Sequence, residues 1–339
     1  VTTDNASARL AHPAGRDDWA GTGGDSQLGS LRGSRPEGPA WFHWALAQEP
    51  ERTFIDVEGA AIEMLAWGTR GNPGVLLLHG SRANADWWAF IAPLLMRDYR
   101  VVAFSMSGMG NSGHRDAYSL RQTGREAHAA AIEGGLFDAA AKPVIVAHSF
   151  GGYGALGACH DHPESYGGLV LVDSILHDLD SSSIEWSLPK TTRRVYATHT
   201  EALARFRLLP ERELESLWAL DAIGRSGICH DPAAGGWTWK FDIGCFEKRI
   251  AEDLSPLAKA AVPIAIVRGE ESPLYTPELR DRIARLFGEH LPDIVIPDAG
   301  HHIMADQPLA LATALRTLLA VWPQGGRRSA LGCSEPSPL

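Results

Sequence analysis

Short runs of β-branched and leucine residues recur from about residue 53. Between them lie longer stretches in which apolar residues return every three or four positions. The short runs predict strands at Thr53–Val57, Ile62–Trp67, Val75–Leu78, Val101–Ser105, Val144–Ala147, Leu169–Val172, Ile264–Val267 and Ile294–Ile296. The first two are close enough to pair as a hairpin. Helical spacing falls at Trp87–Met96, Arg121–Gly134, Phe150–His160, Pro277–Phe287 and Pro308–Trp322. In the last, Leu311, Leu315, Leu318 and Trp322 share one face and Pro308 suits a first helical position. Alternation of this kind predicts an α/β fold, a parallel sheet with helices on both faces.

The alternation breaks once. Residues 176–258 hold helical pieces at Glu201–Leu209 and Glu211–Ile223 and a Gly/Trp-rich loop at Gly235–Phe241, with no clear strand. A segment that leaves and rejoins at strand ends is expected to form a helical cap over the carboxyl edge of the sheet, where open α/β sheets bind ligands. Residues 1–40, rich in Gly, Ser, Asp and Arg without an apolar period, read as a disordered leader, with order starting near Trp41. Residues 323–339, with Pro, Gly and Ser, read as a disordered tail. The core is thus expected at 41–175 and 259–322, with the cap at 176–258.

Composition narrows the partners. A hydrophobic fraction of 45% with 21% charged residues supports a sizeable core. The formal net charge of −10 argues against nucleic acid and anionic membranes, which need a surplus of Lys and Arg. No stretch reaches the roughly 18 apolar residues of a membrane span, and the start lacks the pattern of a secretory signal. Cys159, Cys229, Cys245 and Cys333 show neither pairing nor metal-type spacing, which fits a reducing cytoplasm. The Cys229-His230-Asp231 run does not make a metal site, because chain neighbours on an extended segment rarely converge on one ion. A small-molecule substrate and no cofactor or metal are expected. Nothing in the sequence sets an oligomeric state.

The chemistry gathers at Ala147-His148-Ser149-Phe150-Gly151-Gly152. A strand that enters a tight turn with a serine at its apex, small residues around it and a helix behind describes a nucleophile elbow. A serine hydroxyl is a poor nucleophile at neutral pH and needs a base, itself oriented by a carboxylate. His301, in Asp298-Ala299-Gly300-His301-His302 after the last strand, is the expected base; His302 is the weaker choice. A parallel sheet puts the loops after its strands on one edge, so Ser149 and His301 can meet. Asp173, Glu270 and Glu271 all follow strands on that edge as candidate acids. The oxyanion donors are expected to be the N–H of Phe150, at a helix N-terminus, and the N–H of Ser81, in Leu78-His79-Gly80-Ser81. His79 is read as a structural histidine holding that turn.

Together these residues resemble the α/β-hydrolase superfamily. LLLHGS at 76–81, SGMGNSG at 107–113, AHSFGG at 147–152, LVLVDS at 169–174, RGEES at 268–272 and AGHH at 299–302 occur in that family's order. The resemblance covers roughly residues 41–322. It implies an eight-stranded, mostly parallel sheet with helices on both faces and a helical cap after the sixth strand. Three positions depart from the pattern. Ala147 stands where glycine is usual, Ser105 where an aspartate often starts the loop, and Ser272 where many members carry the acid. The last departure directs the choice to Asp173, a position some relatives use, with Glu270 in reserve. Gly108, Gly110 and Gly113 match a dinucleotide spacing, but the residues after them do not open a helix toward a phosphate.

A serine nucleophile disfavours the epoxide hydrolases and haloalkane dehalogenases of this fold, which use a carboxylate. The expected activity is a serine hydrolase that cleaves a carboxylic ester, thioester or lactone through an acyl-enzyme on Ser149. Trp87, Trp186, Trp237 and Trp239 are candidate substrate contacts, suggesting an apolar or aromatic group, although such residues also serve to glue cap to core. The competing readings are an acyltransferase or cofactor-free tailoring enzyme, and a noncatalytic binding protein.

Overall fold

All eight β-patterned runs become strands of one sheet: β1 (Glu51–Val57), β2 (Ala60–Trp67), β3 (Gly74–Leu78), β4 (Arg100–Phe104), β5 (Val144–His148), β6 (Gly168–Val172), β9 (Ile264–Gly269) and β10 (Asp293–Ile296). The computed structural model describes residues 26–176, 193–259 and 262–321. The strand order is β1-β2-β4-β3-β5-β6-β9-β10. β1 and β2 form the expected hairpin and β2 also runs antiparallel to β4, while the pairings from β4 through β10 are parallel.

Central strands are apolar on both faces because both faces are covered. Val75 and Leu77 of β3 join one core cluster, with Phe42, Trp88, Leu311 and Leu315; Leu76 and Leu78 join the other, with Ala127, Ala155 and Leu156. On the second face α2 (Leu120–Glu133) crosses α3 (Gly151–Asp161) at contact distance. A methyl on Gly124 would lie 2.8 Å from the backbone nitrogen of Ala158, so the crossing depends on a residue without a side chain. Behind the first face run α1 (Ala40–Leu46) and the last helix, Pro308–Val321, while α6 (Pro277–Phe287) follows β9.

Four sequence expectations change. The stretch Trp87–Met96 is not one helix but two 3-10 turns, Ala85–Trp88 and Ala92–Leu94, because Pro93 lacks the N–H that a continuous helix would need. Order does not begin at Trp41. Gln27–Leu31 forms a 3-10 turn with Leu28 1% exposed, and Gln27 exchanges two hydrogen bonds of 3.0 Å with the backbone of Leu214. Burial of one apolar side chain thus holds down a segment whose composition is that of a loop. Residues 1–25, 177–192 and the tail from 322, with Trp186, lie outside the described residues.

The other two changes fall between β6 and β9. The helices there are shorter than expected: α4 spans His199–Ala204 and α5 spans Leu217–Ser226. The segment also contains an antiparallel pair, β7 (Ile228–Asp231) with β8 (Gly236–Trp239), where no strand was expected. Its turn is built by Asp231, whose side chain accepts from the N–H groups of Ala233 and Ala234, and by Gly235 at φ +70°. Cys229 and His230 are successive residues of β7 and point to opposite faces, so that run gathers no ligand set.

Candidate active site

Ser149 is the residue after β5 and adopts φ +53°, a left-handed conformation uncommon for a residue with a side chain. Its N–H donates to the carbonyl of Val172 at 3.0 Å, extending the β5–β6 ladder past the strand end. The turn is possible only because its neighbours are small. A methyl on Gly151 would stand 2.6 Å from the His79 carbonyl oxygen, one on Gly152 2.9 Å from Ser174 Oγ, and one on Gly80 3.1 Å from Ser149 Cβ. The last distance puts Gly80, in the turn after β3, directly against the serine. Phe150 lies at the N-terminal edge of α3, and Ala147 is fully buried.

Asp173 closes β6, also at positive φ (+43°), with its N–H donating to Val267 at 2.8 Å. The histidine loop follows β10. Gly269 ends β9 beneath it, so closely that a methyl there would lie 2.2 Å from the Gly300 carbonyl oxygen. These backbone contacts bring three side chains together. His301 Nε2 lies 2.9 Å from Ser149 Oγ, and His301 Nδ1 lies 2.6 Å from Asp173 Oδ2. Asp173 is an acceptor, so Nδ1 carries the ring proton and Nε2 accepts from the serine hydroxyl. All three residues are buried.

Ser272, at the position where an acid was expected, donates its hydroxyl to the same Asp173 Oδ2 at 2.6 Å. Glu270 is exposed and spends its N–H on Ile296, and Glu271 pairs with Arg212 at 2.8 Å. Of the candidate acids, only Asp173 touches His301. The role of Ser272 was missed in sequence because a missing carboxylate reads as a loss; the signal was that a hydroxyl stood in its place.

Further residues brace the site. His79 Nε2 accepts from the Met106 N–H at 3.0 Å, and its Nδ1–H donates to the Gly80 carbonyl at 2.7 Å, tying the turn after β3 to the loop after β4. Burial pushes its pKa down to about 4, so the ring is neutral. Asp306 accepts the Gly300 N–H at 2.8 Å and pairs with Arg212 at 3.4 Å. Burial raises the Asp306 carboxyl above its ordinary range. At Ser105, the hydroxyl donates to buried Glu63, which Arg52 and Asn111 also engage. Glu63 comes from β2, so the loop is anchored by a carboxylate supplied from a neighbouring strand. Burial alone would raise the Glu63 carboxyl, but Asn111, Arg52 and Ser105 hold it below the usual range.

A cleft of about 340 Å³ opens beside His301 and His302. Leu208, Pro210, Leu214 and Pro273 give it apolar wall, and Arg212 and Glu271 line its rim. Of the tryptophans proposed as substrate contacts, Trp87 meets His302 edge-on at 5.6 Å. Trp237 instead packs on His199 and His230, and Trp239 on Tyr196 and Phe206. These two fix the β7–β8 pair to its neighbours and do not line the cleft.

The sequence profile of the alpha/beta hydrolase family matches residues 75–314. The chain belongs to this family. As an alpha/beta hydrolase it is 27% identical over 282 residues to the esterase Rv0045c of Mycobacterium tuberculosis, covering 78% of this chain and 88% of that one. A serine hydrolase-like protein of Mus musculus is 34% identical over 145 residues, 41% of this chain and 44% of its own length. Among solved structures, the thioesterase domain from the curacin biosynthetic pathway superposes with a TM-score of 0.63 at 21% identity, covering 79% of this chain and 99% of the domain. The Mycobacterium tuberculosis esterase superposes with a TM-score of 0.59, covering 86% and 95%. At these identities the superpositions speak for the fold alone, and the family match makes the protein a hydrolase. No helix of the described residues is long and apolar enough to cross a membrane.

Proposed function

We propose that this hydrolase cleaves small carboxylic esters through an acyl-enzyme on Ser149. One observation carries the reading: the buried chain of hydrogen bonds from Asp173 through His301 to Ser149, at 2.6 and 2.9 Å, on a serine held at a left-handed apex. The esterase name of the Mycobacterium tuberculosis relative supports the same substrate class.

In this mechanism His301 Nε2 takes the Ser149 proton as Oγ attacks the ester carbonyl carbon. The imidazolium so formed is stabilised by the Asp173 carboxylate, which also holds the ring in the productive tautomer. The carbonyl oxygen gains negative charge and is received by the N–H groups of Phe150 and Ser81. His301 then gives its proton to the leaving alkoxide, and the alcohol departs. Water repeats the sequence on the acyl-serine, with His301 again as base, and releases the acid. The segment between β6 and β9 acts as a cap, with Leu208, Pro210 and Leu214 forming apolar wall above the histidine loop.

The test uses a fluorophosphonate probe and a panel of p-nitrophenyl esters of increasing chain length. Wild type should be labelled and should turn over the short esters, and Ser149→Ala should do neither. Equal labelling of the two proteins overturns the proposal.

A further inference from the structure

The loop that carries His301 leaves β10 at Asp298, whose φ of +53° lies in the left-handed region. A backbone in that region keeps its conformation only where neighbouring contacts hold it. Toward the core, the Glu271 N–H donates to the Ala299 carbonyl at 2.9 Å and His148 Nε2–H donates to the His301 carbonyl at 3.1 Å. Toward the cleft, the stretch between α4 and α5 supplies Arg212.

Each nitrogen of the Arg212 guanidinium serves a different segment. Nη2–H donates to the Asp298 carbonyl at 3.2 Å, Nε stands 3.4 Å from Asp306 Oδ1, and Nη1 pairs with Glu271 Oε2 at 2.8 Å. The planar fork of an arginine can meet three acceptors at once, which the point charge of a lysine does not. Asp306 ends the short helix Ile303–Asp306, and its other oxygen, Oδ2, accepts the Gly300 N–H at 2.8 Å. Its side chain is 5% exposed, so its charge depends on the arginine as counter-ion. The stem of Arg212 covers Gly300 so closely that a methyl there would lie 3.1 Å from Cδ. One side chain therefore spans the loop from its entry at Asp298 to the carboxylate that holds Gly300, the residue before His301. The stretch that carries Arg212 is itself anchored. His302 Nε2–H donates to the Leu209 carbonyl at 3.1 Å, and Gln27 holds the backbone of Leu214.

We infer that Arg212 is a positioning residue: it holds the loop where His301 Nε2 reaches Ser149, and it makes that position depend on docking of the segment between β6 and β9. Arg212 lines the cleft, but its three nitrogens are committed to protein acceptors, which separates it from a substrate contact. Without it, Asp306 becomes a buried carboxylate without its counter-charge and either takes up a proton or turns toward solvent. Its hold on the Gly300 N–H then weakens, and the loop samples positions in which Nε2 is out of reach of the serine hydroxyl. A displacement of about 1 Å at a reacting group is enough to cost about a hundredfold in rate. The catalytic consequence rests on the mechanism proposed above; the hold on the loop does not.

The experiment follows hydrogen–deuterium exchange and p-nitrophenyl acetate kinetics in the full chain. Arg212→Met keeps the apolar stem and removes the three donors. Peptides spanning 298–306 should exchange at least about tenfold faster than in wild type, while those of β3 and β5 exchange unchanged. The kcat should fall about ten- to a hundredfold with KM within about threefold, and Arg212→Lys should show the same changes in smaller measure. Ethylguanidinium, well below denaturing concentration, should restore part of the kcat of Arg212→Ala, and ethylammonium less. The kcat losses of Arg212→Met and Asp306→Asn should fall short of multiplying in the double variant, because both act through one tie. Wild-type exchange at 298–306 in Arg212→Met overturns the hold on the loop. Faster exchange with unchanged kcat, or a loss confined to KM, overturns the positioning role, and the latter assigns Arg212 to substrate binding. If Arg212→Met exchanges faster throughout the chain, Arg212→Lys decides by the same two readouts. A wild type inactive on every ester would count against the proposed function, while exchange would still decide whether Arg212 holds the loop.

Discussion

Replacing Asp173 by asparagine tests the centre of the proposed mechanism. Asp173 Oδ2 accepts two hydrogen bonds of 2.6 Å, from His301 Nδ1–H and from the Ser272 hydroxyl, while Oδ1 is buried with no partner among the described residues. Asparagine has two ways to sit there. With its carbonyl oxygen at the Oδ2 position, it keeps both donors but buries an NH₂ group without an acceptor, at a cost of about 1–3 kcal/mol, and no longer carries the charge that stabilises the imidazolium. With the NH₂ toward His301, Nδ1 must become the acceptor and the ring proton moves to Nε2, where it blocks proton transfer from Ser149. Both outcomes remove stabilisation made chiefly in the transition state. We expect kcat/KM on p-nitrophenyl acetate to fall about 10³- to 10⁴-fold, or about 4–5.5 kcal/mol, with KM little changed. Circular dichroism and urea unfolding of the variant establish that it is folded. Glu270→Gln, at an exposed position, should stay within about threefold of wild type. A nearly normal Asp173→Asn alongside a crippled Glu270→Gln refutes the assignment of the acid.

Ser272→Ala removes one of the two donors to Asp173 and should lower kcat about tenfold, with Ser272→Thr restoring most of it; steady-state kinetics with unchanged KM separates this from a binding defect. Gly269→Ala places a methyl 2.2 Å from the Gly300 carbonyl oxygen and must displace the histidine loop, so probe labelling of Ser149 should slow by orders of magnitude even though the substituted residue touches no substrate. The His79 pKa lies at about 4 against an ordinary 6.5, so its neutral ring stabilises the fold fully above pH 6.5, and that contribution of about 3 kcal/mol is lost as pH falls through 4. The stability advantage of wild type over His79→Gln in urea should therefore shrink across that window; parallel curves would rule out a buried neutral ring. Leu28→Ala, at a side chain 1% exposed, should cost about 2–4 kcal/mol in the same assay, whereas a loose leader would show no change.

The sheet was legible in the chain because its central strands are buried on both faces. Runs such as Val75–Leu78 and Val144–Ala147 have no polar alternative, and their ends were found within one or two residues. Ser149, His301 and Asp173 were legible as candidates because each follows a strand of a parallel sheet and must stand on one edge. Where local pattern and tertiary burial disagree, the sequence misleads. Trp87–Met96 has helical periodicity, yet Pro93 divides it. Residues 26–40 look featureless, yet Leu28 is buried. Trp237 and Trp239 look like a substrate wall, yet they pack within their own segment.

The amino-acid order alone determined which residues reach the carboxyl edge, since strand order and chain direction depend on hydrophobic period and short connections. Only the tertiary structure decided which of them touch. Asp173 rather than Glu270 meets His301, Ser272 supports that carboxylate in place of an acid, and His148 and His302 pack their rings against that of the base. Those choices depend on side-chain directions and on contacts between segments more than a hundred residues apart, such as His301 on Asp173 or His301 on Ser149. No local spacing along a chain encodes a distance of that kind.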